Sequence, residues 1–171
     1  MKYYTGIGSR GTPQATADIM TALATKLEAD GYTLRSGAAE GADAAFEKGQ
    51  SSGEIYLPWP GFNGSKSPLS DGSPVASYIA STLHPAWEHL SQGAKKLMAR
   101  NVFQVCGNDF QTMSDFVVCW TPDGCTTHES RTSKTGGTGL AISLAHKMGI
   151  EVVNLQTPEG LQKVQDYLKD A

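Results

Sequence analysis

The 171-residue chain carries 19 glycines, 39% hydrophobic and 18% charged residues, and a formal net charge of −3; ordinary glycine usage gives roughly 12, so about seven glycines need a local reason. A length of this order predicts one domain, 1–171, that closes around a single core without disulfide or metal staples. The charge leaves no global footprint for nucleic acid or anionic membrane, the longest compact apolar run, Phe116 to Trp120, is far short of a membrane span, and three cysteines without a CxxC pair suit a reducing cytoplasm.

Tyr3 to Ile7 reads as a first strand, followed by Gly8-Ser9-Arg10-Gly11 and by Thr12-Pro13, a capping residue with proline at the first helical position. Ile19, Leu23 and Leu27 recur every four residues and predict a helix over 13–30, stopped by Gly31. Tyr32 to Arg35 is a short second strand. It runs into Ser36-Gly37-Ala38-Ala39-Glu40-Gly41-Ala42-Asp43, a small-residue turn opening a helix that ends near Gly49. Glu54 to Trp59 reads as a third strand, closed by Pro58 and Pro60.

Residues 60–113 break the rhythm, being far longer than an ordinary connection. Gly61 to Pro68 has loop composition and predicts a flexible loop, while Ile79, Leu83, Trp87 and Leu90, then Met98, Val102 and Val105, carry the spacing of two helices interrupted at Pro85. Asp115 to Trp120 is a fourth strand. A polar loop, 121–135, then leads to Gly136-Gly137-Thr138-Gly139, which opens a helix with Leu140, Leu144 and Met148 on one face. Ile150 to Leu155 is a fifth strand, and Thr157-Pro158 caps a last helix with Leu161, Val164 and Leu168 inward.

Strands alternating with helices predict an α/β protein with a Rossmann-like, five-stranded, mainly parallel sheet in the order 3-2-1-4-5, helices on both faces and a helical insertion between strands 3 and 4. Ligands of such sheets bind at the carboxyl ends of the strands where the winding direction reverses, here between strands one and four. The loops after strands one, two and four are the glycine-rich ones. Glycines admit backbone N–H groups close to an anion, a helix N-terminus adds unpaired donors, and Arg10, Arg131 and Lys134 lie in or beside these loops. A phosphate or phosphoribosyl ligand is the expectation. There is no GxxxxGK[ST] phosphate loop, no complete GxGxxG fingerprint and no GxSxG elbow, and Cys125 with His128 offers too few ligands for zinc, so neither cofactor nor metal is expected. From spacing alone, Arg100, Asn101 and Gln104 share one face that reads as solvated, and Ser36 and Asp43 read as braces of the second turn, Asp43 being also placed to accept from a ribose hydroxyl.

As an ordered set, Gly6-Ile7-Gly8-Ser9-Arg10 with Pro13, Leu34 to Ala45, Ile55 to Trp59, Ala99-Arg100-Asn101 and Gly136 to Gly139 resemble the Rossmann-like nucleotide-binding superfamily of DNA-processing protein A (Smf) and the Lonely Guy proteins, particularly its small stand-alone bacterial and phage members. The resemblance spans about residues 3–155. It implies a nucleotide or nucleotide-derived ligand held by Gly8, Ser9 and Arg10, by Ser36, Gly37 and Asp43, and by Gly136, Gly137, Thr138 and Gly139, and it raises Arg100 and Asn101 above the solvated-face reading. It also implies a cytoplasmic homo-oligomer. Lonely Guy phosphoribohydrolases carry a catalytic Glu at the position occupied here by Ser143, so the catalytic residue of an N-glycosidase is unassigned, with Glu40, Glu47 and Glu129 as substitutes. A DNA-recombination accessory is the weaker alternative, because phosphate neutralisation dominates DNA affinity and this chain is acidic.

Overall fold

The computed structural model describes residues 1–70 and 72–170; Asp71, inside the 60–113 insertion, and Ala171, the last residue of the expected 1–171 span, lie outside the described residues. Five strands, β1 (Lys2–Gly6), β2 (Tyr32–Ser36), β3 (Glu54–Ile55), β4 (Phe116–Cys119) and β5 (Glu151–Asn154), form one parallel sheet in the order β3-β2-β1-β4-β5. Tyr4 pairs in register with Leu34, Thr5 with Val117, and Val118 with Val153. Six helices connect them: α1 (Gln14–Ala29), α2 (Ala42–Lys48), α3 (Pro74–Leu83), α4 (Gln92–Cys106), α5 (Thr138–Lys147) and α6 (Pro158–Lys169).

The two-residue period of the strands divides the core. Tyr4, Leu34, Val118 and Val153 point to one face and pack under Met20, Leu23 and Leu27 of α1, Phe46 of α2 and Val164 of α6. Val117 and Cys119 point to the other, against Ala80 of α3, Val102 and Val105 of α4, and Leu140 and Ile142 of α5. Helices on both faces leave β4 apolar on both sides, which is why Phe116 to Cys119 reads as a run rather than an alternation. Among the described residues no helix is long and apolar enough to cross a membrane.

Four local expectations are corrected. The third strand stops at Ile55: Tyr56 instead bridges Leu69, and the Leu57 N–H donates to the Leu69 carbonyl at 2.7 Å, so the returning insertion covers the sheet edge. Thr12 does not cap α1. Pro13 takes the capping position, and the Thr12 hydroxyl donates to the Ser9 carbonyl at 2.7 Å, fastening the first loop. The segment after Pro60 contains a 3-10 turn, Phe62–Gly64, with Phe62 buried edge-on against Trp59. Met148 lies one residue past the end of α5 and is 42% exposed rather than inward.

Candidate functional site

β1 and β4 are neighbours whose following helices pass to opposite faces, so their carboxyl ends leave a crevice that no crossover covers. A cleft of about 380 Å³ opens there. Its rim is the Gly8-Ser9-Arg10 loop on one side and Lys134 with the Gly136-Gly137-Thr138 turn on the other. Its floor holds Asp43, Arg100 and Asn101, and Ile7, Ala39, Leu97 and Met98 supply apolar wall.

Each rim is held from behind. The Ser9 N–H donates to the Trp120 carbonyl at 3.1 Å, tying the first loop to the end of β4, and the Ser9 hydroxyl accepts from the Gly11 N–H at 3.0 Å. A Cβ on Gly8 would lie 2.7 Å from Ala42 Cβ and 2.9 Å from the Trp120 carbonyl oxygen, so only glycine lets the loop pass between α2 and β4. At Gly41, with φ +79°, a Cβ would lie 2.5 Å from the Ser9 carbonyl oxygen, so the second turn is pressed against the first.

On the opposite rim, α5 opens at Gly137 without a side-chain cap. The Gly139 and Leu140 N–H groups bond back to the carbonyls of Gly136 and Gly137, but among the described residues those of Gly136, Gly137 and Thr138 meet no acceptor. Three successive residues with unpaired N–H groups at the start of a helix therefore line the cleft, where the helix dipole favours negative charge. The exposed side chains of Arg10 and Lys134 add two cations.

The floor corrects the solvated-face reading of α4. Arg100 is 7% exposed, Asn101 4%, and Gln104 is fully buried. Arg100 donates through Nη1 to the carbonyls of Gly37 and Tyr56 and through Nε to Asn101 Oδ1 at 2.9 Å, and Asn101 Nδ2 donates to the Gly137 carbonyl at 3.0 Å. This relay ties the second loop to the glycine turn across the floor. Burial lowers the Arg100 pKa, opposed by the nearby Asp43 charge.

Asp43, in the first turn of α2, is 2% exposed and lines the cleft. Its Oδ2 accepts from the Ala39 N–H at 3.3 Å, whereas Oδ1 is buried with no hydrogen-bond partner. No cation stands within ion-pair distance of it among the described residues. Burial pushes its carboxyl up to about 6 from 3.8, against the opposing pull of Arg100 and the Ala39 and Gly37 amides.

Nine of the twelve expected positions thus line one cleft. Ser36, Gly37 and Gly139 do not. The Ser36 hydroxyl donates to the Gly6 carbonyl at 2.6 Å, a brace between β2 and β1. A Cβ on Gly37 would lie 2.7 Å from Arg100 Nη1, and one on Gly139 would lie 2.6 Å from Arg131 Nε, so both glycines make room for an arginine. Arg131 itself is taken up by the Leu83 carbonyl at 2.7 Å and Ser143 Oγ at 3.0 Å. Ser143 is fully buried beneath Arg131 and His128, outside the cleft, and none of Glu40, Glu47 and Glu129 lines it. Asp43 is the carboxyl at this site. Leu97 and Met98 were not singled out as site residues from the sequence, because an apolar wall and an apolar core position have the same signature.

No family model and no curated protein matches the chain. Among solved structures it is similar to DNA processing protein A from Helicobacter pylori. The two are 15% identical, with a TM-score of 0.41, over 99% of this chain and 81% of that one, and the neighbour's structure concerns its single-stranded DNA binding mode. So distant a likeness carries no function across, and the site is read from its own residues.

Proposed function

We propose that the chain acts as a single nucleotide-binding domain whose cleft takes a small phosphorylated nucleoside or nucleotide-derived signalling molecule, as a homo-oligomeric sensor or sequestering protein. Phosphate sits against the N–H groups of Gly136, Gly137 and Thr138 and the Gly8-Ser9-Arg10 loop, with Arg10 and Lys134 neutralising its charge. Ribose or base lies over the floor, within reach of Asp43, Asn101 and the Thr138 hydroxyl, between the walls of Ile7, Leu97 and Met98. One observation carries this reading: three successive residues whose amides lack acceptors line the same cleft as two exposed cations.

The test is mass spectrometry of small molecules released from the purified protein, joined to thermal unfolding with a panel of nucleoside mono-, di- and triphosphates. A ligand at a hundred times its Kd stabilises by about 2.7 kcal/mol, a shift readily seen for a domain of this size. Failure of every nucleotide to raise the melting temperature, with nothing co-purifying, overturns the reading. Salt-sensitive binding of single-stranded DNA in place of nucleotide would move the assignment to the recombination accessory.

A further inference from the structure

The floor of the cleft is built against the ligand that its rim invites. Asp43, which lines the same cleft as the glycine turn and the cationic loop, holds a buried carboxyl oxygen with no donor to satisfy it. An anion on that rim would share the cleft with an ionised, buried carboxylate. Two like charges so arranged cannot both persist cheaply, and the proton balance yields first.

We propose that the cleft is a proton-coupled anion site in which Asp43 determines specificity: each anion enters with one proton, which resides on Asp43 Oδ1. This rests on the reading that the rim holds the ligand's phosphate. Once protonated, Asp43 no longer sets a negative charge beside the anion, and Oδ1 changes from an acceptor into an O–H donor.

The groups around the carboxyl allow this and offer no rival for the proton. From α4, Arg100 faces it, but its Nε and Nη1 are committed to Asn101, Gly37 and Tyr56. From α2 itself, Glu47 lies one turn on and adds like charge. From the first loop and from the segment before α5, the basic side chains of Arg10 and Lys134 line the same cleft. The Ala39 N–H holds only Oδ2. Among the described residues no histidine lines the cleft. Burial already holds the Asp43 pKa near 6 without a ligand, so an added anion moves it across the neutral range.

Inorganic sulfate is the probe, because its own charge does not change between about pH 5 and pH 8. Titration calorimetry of the wild-type protein at about pH 7.5, in two buffers of different ionisation enthalpy, should show uptake approaching one proton per sulfate. Sulfate affinity should be level below about pH 6 and fall by up to about tenfold per pH unit above it. Asp43→Asn, a neutral isostere that keeps an oxygen for the Ala39 N–H, should abolish the uptake and the pH dependence, while Glu47→Gln retains both. Sulfate binding without proton exchange in the wild type, or uptake unchanged in Asp43→Asn, overturns the coupling and leaves the anion site standing. Absence of binding by sulfate and by every nucleotide overturns the site itself. The wild-type buffer comparison decides the matter even if a variant fails to fold.

Discussion

Asp43 and Asp123 are the same residue in opposite surroundings. Asp123, half-buried in the loop after β4, accepts from the hydroxyls of Thr121, Thr132 and Thr135 and from the Cys125 N–H. Its partial burial pushes the pKa up, yet those four donors outweigh it and hold the carboxyl down to about 2. Asp43 is more deeply buried, has only the pull of Arg100 and of the Ala39 and Gly37 amides to set against that burial, and is pushed up to about 6. The first carboxylate is saturated and organises the loop behind the glycine turn. The second is left with unused capacity where the turn opens. Deeper burial and fewer donors thus separate the two aspartates, one saturated within the frame and the other left with an unpaired oxygen at the cleft.

The largest test of that difference is Asp123→Ala. It removes the acceptor shared by three hydroxyls and an amide, and it leaves the fully buried Thr121 without a partner for part of its hydrogen bonding. A loss of about 2–3 kcal/mol is expected by urea unfolding. Because the folded pKa lies below the unfolded 3.8, the Asp123 contribution is complete above about pH 4 and fades as pH falls toward about 2. The gap between wild type and variant should close over that window.

Next in size is Arg131→Ala. Arg131 was grouped with the phosphate cations on sequence grounds, yet its Nη1 binds the Leu83 carbonyl and Ser143 and joins the end of α3 to α5. We expect a stability loss of about 1.5 kcal/mol with nucleotide affinity unchanged. A loss of affinity at constant stability would return Arg131 to the site.

Asp43→Asn should move stability the other way. The folded pKa near 6 exceeds the unfolded 3.8, so the carboxyl costs nothing below about pH 4 and its cost grows as pH rises through about 6. The variant should match the wild type near pH 4 and exceed it near pH 7 in denaturant unfolding. Equal stabilities at both pH values would mean that Asp43 is already satisfied.

The order of the sheet was legible because it rests on local signals. Apolar runs at Tyr3 to Ile7 and Asp115 to Trp120, the helix stop at Gly31 and the Thr157-Pro158 start are each decided within a few residues. The rim was legible for the same reason, since glycine clusters after strands mark turns wherever they fold. The floor was not. Arg100, Asn101 and Gln104 look like any polar face of a helix, and only the docking of α4 over β1 and the second loop turns that face inward. Spacing alone also could not tell Ser36 from Asp43. They flank one small-residue turn, yet the Ser36 hydroxyl finds the Gly6 carbonyl and Asp43 Oδ1 finds nothing. Partnership across the sheet is a tertiary property, and local composition does not encode it.

The smallest effect on stability, and the sharpest on binding, belongs to the free cations. Arg10 and Lys134 are exposed at the cleft and make no side-chain hydrogen bond or ion pair among the described residues, so neither holds the fold together. Removing either should change unfolding free energy by no more than about 0.5 kcal/mol. A phosphate on the rim would nevertheless lose one of its two neutralising charges, and nucleotide affinity should fall about fivefold in each variant by calorimetry, with the deficit shrinking as salt is raised. The two losses should be less than additive if both cations reach one phosphate, and close to additive if each serves its own. A double-mutant cycle on Arg10 and Lys134 therefore reports how many phosphate groups span the rim, because two cations around one anion are coupled and two cations on separated anions are not.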